Sequence, residues 1–99
     1  MCFLTITIKK NVLFYGKRMY KSLLVFLMQN KVAGATVWTG VDGFGKRRRS
    51  TIQLEGITIN MPLIIEIVDE QSKLEPLLSQ IKRMVGDDGL VTLQNVDTI

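Results

Sequence analysis

Along the first stretch, Phe3 to Ile8, apolar Leu4, Ile6 and Ile8 alternate with Thr5 and Thr7, the two-residue period of a strand with one face toward a core. Lys9 to Gly16 reads as a connector. From Lys17 to Val32, the residues Met19, Tyr20, Leu23, Leu24, Leu27 and Met28 recur three and four apart, while Lys17, Arg18, Lys21, Ser22 and Gln29 fall mostly on another side. This spacing predicts an amphipathic helix with Gly34 as its stop. Val25 and Phe26 widen the apolar surface beyond one stripe and point to a second contact. Ala35 to Val41 is β-branched and aromatic and predicts a second strand, with Val37 and Thr39 on one face and Thr36 and Trp38 on the other.

Leu63 to Val68 predicts a third strand. Leu63, Ile65 and Ile67 share one face, and Ile64 and Val68 flank Glu66 on the reverse. A helix is expected from about Glu70 to Val85, carrying Leu74, Leu77, Leu78, Ile81 and Val85 at helical spacing and ending at Gly86. Ser72 and Glu75 have the form of a capping box, but Pro76 lacks an N–H, so the first turn is expected to be irregular or to start late. Gly89 to Val96 predicts the last strand.

The order strand, helix, strand, strand, helix, strand gives an α+β, ferredoxin-like βαββαβ sandwich: one antiparallel four-stranded sheet with both helices on a single face. The other face would then carry Trp38, Ile64 and Val68. An uncovered apolar face marks an interaction site, and self-association through the sheet is the economical cover. With 99 residues the chain has room for a single domain, 1–99, and hydrophobic residues at 46% against 22% charged exclude disorder as its dominant state.

Between the second and third strands, Asp42 to Pro62 forms a loop far longer than a compact domain ordinarily needs. It opens on Gly43-Phe44-Gly45 and runs straight into Lys46, Arg47, Arg48 and Arg49. These four bases equal the whole net charge of +4. A flexible glycine turn followed by clustered cations is the chemistry of anionic phosphate recognition, although a basic run in a loop is also commonly just solvated. Ile52 and Leu54, then Ile57 and Ile59, alternate around Glu55-Gly56, the pattern of a projecting hairpin.

Other chemistry is narrowed by absences. The chain has one cysteine, Cys2, and no histidine. A disulfide framework, the usual zinc ligand sets and imidazole-based triads are therefore excluded. We expect neither a metal site nor catalytic residues. The longest apolar run, Leu23 to Met28, is far short of the roughly 20 residues that span a bilayer, and Phe3 to Ile8 lacks the layout of a secretory signal. A soluble, cytoplasmic protein is expected.

Four segments together resemble a known family: Gly34-Ala35-Thr36-Val37; Gly43-Phe44-Gly45-Lys46 with the long loop behind it; Ile64-Ile65-Glu66-Ile67-Val68-Asp69; and Gly86-Asp87-Asp88-Gly89-Leu90-Val91-Thr92-Leu93. In this combination and spacing they are similar to the PII signalling superfamily, and more closely to its stand-alone branch, the domain-of-unknown-function family numbered one hundred and ninety. The resemblance runs from the first strand to the last residue. It implies a homotrimer with sheets facing inward and a regulatory role without catalysis. It also implies a small anionic ligand, an adenine nucleotide in the PII case, bound in clefts between subunits. Gly43, Gly45, Lys46 and Arg47 would meet that ligand from one subunit; Gly86, Asp88 and Gly89 would meet it from the neighbour. Arg48 and Arg49 would sit in the part of the loop that engages a partner, such as a membrane transporter or an enzyme.

The chain departs from the PII pattern in three ways. Leu90 stands where PII proteins have a lysine, Asp87 adds an acid to the turn, and no basic segment follows to Ile99. These differences count against ATP and 2-oxoglutarate sensing in the PII manner and leave open a smaller or different anion, such as a mononucleotide. The main rival is a single-stranded nucleic-acid-binding module of the same layer order. Its aromatic signature would lie along a strand, whereas Phe44 precedes four bases in the loop.

Overall fold

The computed structural model describes residues 1–9, 13–14, 17–40, 51–52, 58–59, 62–87 and 89–99. Its centre is β1, Cys2–Lys9, whose alternating side chains are buried at Cys2, Leu4, Ile6 and Ile8. β1 pairs antiparallel with β3 (Pro62–Asp69) on one side and β4 (Leu90–Asn95) on the other, and β2 (Thr36–Thr39) completes the sheet beyond β3. The resulting order is β2-β3-β1-β4. Two helices, α1 (Met19–Gln29) and α2 (Gln71–Val85), cover one face. Leu23 and Leu27 of α1 and Leu74 and Ile81 of α2 join Leu4, Ile6, Leu63, Ile65 and Ile67 in a single apolar core. The expected ferredoxin-like sandwich is therefore the observed one.

Several element limits differ from those read along the chain. α1 starts at Met19 because Lys17–Arg18 is engaged in antiparallel pairing with Leu13–Phe14, so the expected connector contributes a short strand and the helix loses its first residues. It also stops before Val32 and well before Gly34. Val32 N–H donates to Leu27 O at 3.1 Å and Lys31 N–H to Met28 O at 3.0 Å, the paired bonds of a Schellman ending. Lys31, not a glycine, takes the left-handed conformation that this ending requires, with φ 60°.

The expected capping box does not form. Glu70 is the N-cap of α2 and makes no side-chain capping bond, while Gln71 Nε2 donates to Glu75 Oε1 at 2.9 Å. Pro76 neither delays nor breaks the helix: Lys73 and Leu74 N–H both donate to Glu70 O, and Pro76 sits exposed on the outer side of the second turn. The second and last strands are shorter than expected by one or two residues at their ends. Gly40 N–H donates to Pro62 O at 2.7 Å and extends the β2–β3 ladder past Thr39. In the long loop, Thr51–Ile52 pairs antiparallel with Thr58–Ile59, in keeping with the expected hairpin.

The register shows what the uncovered face carries. Directly opposed residues of antiparallel strands share a face, so Trp38, Ile64, Thr7 and Leu90 form one row across all four strands. Thr36, Glu66, Thr5 and Thr92 form the next row, and Val68, Phe3 and Gln94 the one after. Trp38 is 56% and Leu90 61% exposed. The face is thus apolar at both ends with a polar row between them.

Candidate functional site

The ladder places the ends of the long loop and the second glycine turn at the same end of the sheet. Thr39 and Ile8 both pair with Leu63, and Thr7 pairs with Leu90, so Gly40, Pro62 and Gly89 flank one rim. They do not lie side by side. The loop leaves from β2 and the turn enters β4, which are opposite edges of the sheet, separated by three strand spacings or about 14 Å.

Of the predicted site residues, Gly86 and Gly89 lie within the described structure. Gly43, Gly45, Lys46, Arg47, Arg48, Arg49 and Asp88 lie outside the described residues. The two glycines are required for different reasons. Gly86 has φ 59° and ψ −137°, and a β-carbon there would meet nothing within 4 Å. Backbone conformation is what selects it. At Gly89 space is the constraint: a β-carbon would overlap Thr7 O and come within 2.7 Å of Ile8 Cγ2 and 2.9 Å of Val85 Cγ1. The turn is thereby pressed against the end of β1. Its helical side is closed by Gly86 N–H donating to Lys82 O at 2.8 Å and by Lys82 Nζ donating to Gly86 O at 3.1 Å.

Asp69, whose role sequence reasoning missed, is 7% exposed and ties three segments together. Its Oδ2 accepts Ala33 N–H at 3.0 Å, and its Oδ1 accepts Glu70 N–H at 2.8 Å. The bond from Ala33 is the largest influence holding the carboxyl below its usual range; burial opposes it, and the bond from Glu70 and the charge of Lys73 add to the lowering. Lys73 Nζ in turn donates to Lys31 O at 2.9 Å. The stretch between α1 and β2 is thus anchored to the start of α2. On the open face, Glu66 Oε1 accepts Trp38 Nε1–H at 2.7 Å, a partner for Glu66 within its own chain. In sequence each acid shows only its place on the strand: Asp69 on the core-facing parity at the β3 end, Glu66 on the opposite parity, where the register sets it across from Thr36 and diagonal to Trp38.

Four antiparallel strands, two helices on one face, and a long β2–β3 loop whose ends share a rim with the glycine turn define a ferredoxin-like α+β fold. The chain belongs to the DUF190 family, described as "Uncharacterized ACR, COG1993", whose model matches residues 1–98. It is 36% identical over 90 residues to a UPF0166 protein of Aquifex aeolicus, covering 87% of this chain and 81% of that one. With UPF0166 protein MJ1524 of Methanocaldococcus jannaschii the identity is 29% over 90 residues, covering 91% and 83%. Among solved structures it is similar to CPII, a nitrogen regulatory PII-like protein from Thiomonas intermedia K12. The form bound to ADP, AMP and bicarbonate aligns with a TM-score of 0.74 at 16% identity, over 96% of this chain and 84% of that one. The form bound to ADP and bicarbonate aligns with a TM-score of 0.73 at the same identity and coverage. Among the described residues, no helix is long and apolar enough to cross a membrane.

Proposed function

We propose that this protein is a PII-type regulator that binds a small anionic ligand, an adenine nucleotide in the first instance, in clefts between copies of the chain. The observation that carries the reading is the fold it shares with CPII, whose structures hold adenine nucleotides and bicarbonate. The geometry of the rim supports it. In one copy the loop and the glycine turn leave from opposite sheet edges, so a ligand touched by both is reached most simply when the loop of one copy meets the turn of the next. A trimer packed through the open face brings edges together in that way and covers Trp38, Leu90, Ile64 and Val68.

In this reading Gly43, Gly45, Lys46 and Arg47 contact the ligand from one copy, and Gly86, Asp88 and Gly89 contact it from the neighbour. Arg48 and Arg49 lie in the loop that reports the bound state to a partner, a membrane transporter or an enzyme. Residues 1–99 act as one regulatory domain without chemistry of their own. Leu90 points to the packing face opposite Thr7 and so contributes apolar contact instead of the cation that PII proteins have there. This favours a smaller or less charged anion, such as a nucleoside monophosphate or diphosphate, over a triphosphate. Glu66, at the centre of the open face and bonded to Trp38, speaks against nucleic acid on the sheet, since an acid there repels phosphate.

A thermal-shift screen over AMP, ADP, ATP and bicarbonate tests the reading. A ligand at a hundredfold excess over its dissociation constant adds about 2.7 kcal/mol of stability. We expect AMP or ADP to raise the melting temperature of the native protein and to lose that effect with Lys46→Ala/Arg47→Ala. No shift with any nucleotide, together with salt-sensitive binding of single-stranded RNA, would replace this reading with the nucleic-acid one.

A further inference from the structure

β2 is held to the sheet differently from the other strands. β1 buries Cys2, Leu4, Ile6 and Ile8, β3 buries Leu63, Ile65, Ile67 and Asp69, and Val91 and Leu93 of β4 pack against the same core. The side chains of β2 are exposed along its whole length. Trp38 lies 56% exposed on the open face, and Val37, on the parity that elsewhere meets the helices, is still 37% exposed. Apolar burial therefore does little to keep this edge strand in place.

The bonds that hold it are polar and lead to β3. Beside the ladder from Thr36 to Thr39, Gly40 N–H donates to Pro62 O at 2.7 Å at one end. Trp38 Nε1–H donates to Glu66 Oε1 at 2.7 Å in the middle, and Ala33 N–H donates to Asp69 Oδ2 at 3.0 Å before the other end. Pro62, Glu66 and Asp69 all belong to β3. Peeling residues 33–40 away thus breaks one row of bonds and leaves the pairing of β1 with β3 and β4 intact. At Gly34, a β-carbon would meet nothing within 4 Å, so the approach to the strand is unpacked too. Segments with few buried apolar contacts and solvent-exposed hydrogen bonds open locally, at less cost than global unfolding.

The place of β2 in the chain gives such an opening a consequence. The strand carries Trp38 on the face assigned to neighbouring copies, and it runs through Gly40 toward Gly43, Gly45, Lys46 and Arg47, assigned to the ligand. A copy packed on Trp38 would add the apolar burial that β2 lacks within its own chain. By linkage, whatever fixes β2 through the loop would also favour packing. We propose that residues 33–40, with β2 at their centre, form a detachable strand that leaves β3 as a unit while the rest of the sheet stays folded, and that a neighbouring copy against Trp38 holds it closed. The opening follows from bonds within one chain; its control by a neighbour rests on the trimer proposed for this protein.

Amide hydrogen exchange followed by NMR at constant pH tests this, with Ala33 and Gly40 N–H reporting the two ends of the segment and Ile6 N–H of the central strand reporting global unfolding. Leu90→Asp, on the opposite sheet edge, supplies the single chain; Val68→Asp, on the same exposed face, replaces it if circular dichroism shows that the first does not fold. In the single chain, Ala33 and Gly40 should share one opening constant, about a hundredfold or more above that of Ile6. Glu66→Ala in that background should raise both constants severalfold although neither amide bonds to Glu66, and Glu66→Gln, which keeps an acceptor for Trp38, should restore them. In trimeric native protein both should fall about tenfold or more, since the neighbour binds the closed state. End constants equal to that of Ile6, or unmoved by Glu66→Ala, would overturn the detachable strand. Equal constants in trimer and single chain would overturn its control by a neighbour. A native protein that elutes as one chain defeats the trimer instead, and its β2 should then open as freely as in Leu90→Asp; protection there equal to that of Ile6 would overturn the strand as well.

Discussion

Gly86 and Gly89 carry the same side chain, or lack of one, under different constraints. At Gly89 a methyl group must displace the backbone of β1 at Thr7, and overpacking of that kind costs about 1–3 kcal/mol. At Gly86 the same methyl enters open space, and the cost is that of a backbone at φ 59° and ψ −137°, a region that side chains rarely adopt, about 1–3 kcal/mol. Urea unfolding of Gly89→Ala and Gly86→Ala should therefore show both destabilised, the first by overpacking and the second by backbone strain; a Gly89→Ala protein as stable as native would contradict the close approach to β1. Asp69 is a second residue-scale case. Its folded pKa lies below the ordinary 3.8, so its stabilisation is fully present above that value and is lost as pH falls through the folded pKa. Asp69→Ala should cost about 1–3 kcal/mol at pH 7 through the two lost charge-assisted bonds, and the gap from native protein should narrow at pH 3. An unchanged gap would mean that packing, not the ionised carboxylate, is what the substitution removes.

Among the elements, those with a strict period were legible from the chain alone. β1 alternates without a fault and its buried face matches the pattern residue for residue; α2 buries Leu74, Ile81 and Val85 as its spacing indicates. Element ends were harder, because they depend on competing partners that local pattern does not register. The start of α1 is set by a cross-strand pairing of Lys17–Arg18, and its end by a left-handed lysine where a glycine three residues on was the obvious signal. Since Lys31 holds φ 60° at the C′ position, Lys31→Gly should stabilise the protein by about 1 kcal/mol, read as a higher urea midpoint with an unchanged slope. A lower midpoint would show that the lysine side chain contributes more than its backbone costs. The candidate site was half-legible for a related reason: glycine turns and basic runs can be seen in sequence, but which rim and which sheet edge they occupy follows only from strand order. Asp69 was missed as an anchor because its partner Ala33 N–H is 36 residues away.

At the scale of the whole molecule, the central feature is an antiparallel sheet with a helix layer on one side and a row of Trp38, Ile64, Thr7 and Leu90 on the other. In the reading proposed above, that row is the seam for assembly, and the ligand site, whose loop and turn leave from opposite sheet edges, is completed between copies. Leu90→Asp places a charge in the seam at a position that is mostly exposed in the single chain, so it should break assembly while leaving the fold intact; changes at exposed positions away from special contacts usually stay within about 0.5 kcal/mol. Light scattering after gel filtration tests the account most directly. It predicts a native mass near three times that of the 11.2 kDa chain and a single-chain mass for Leu90→Asp, and a native protein that elutes with the mass of one chain would contradict it.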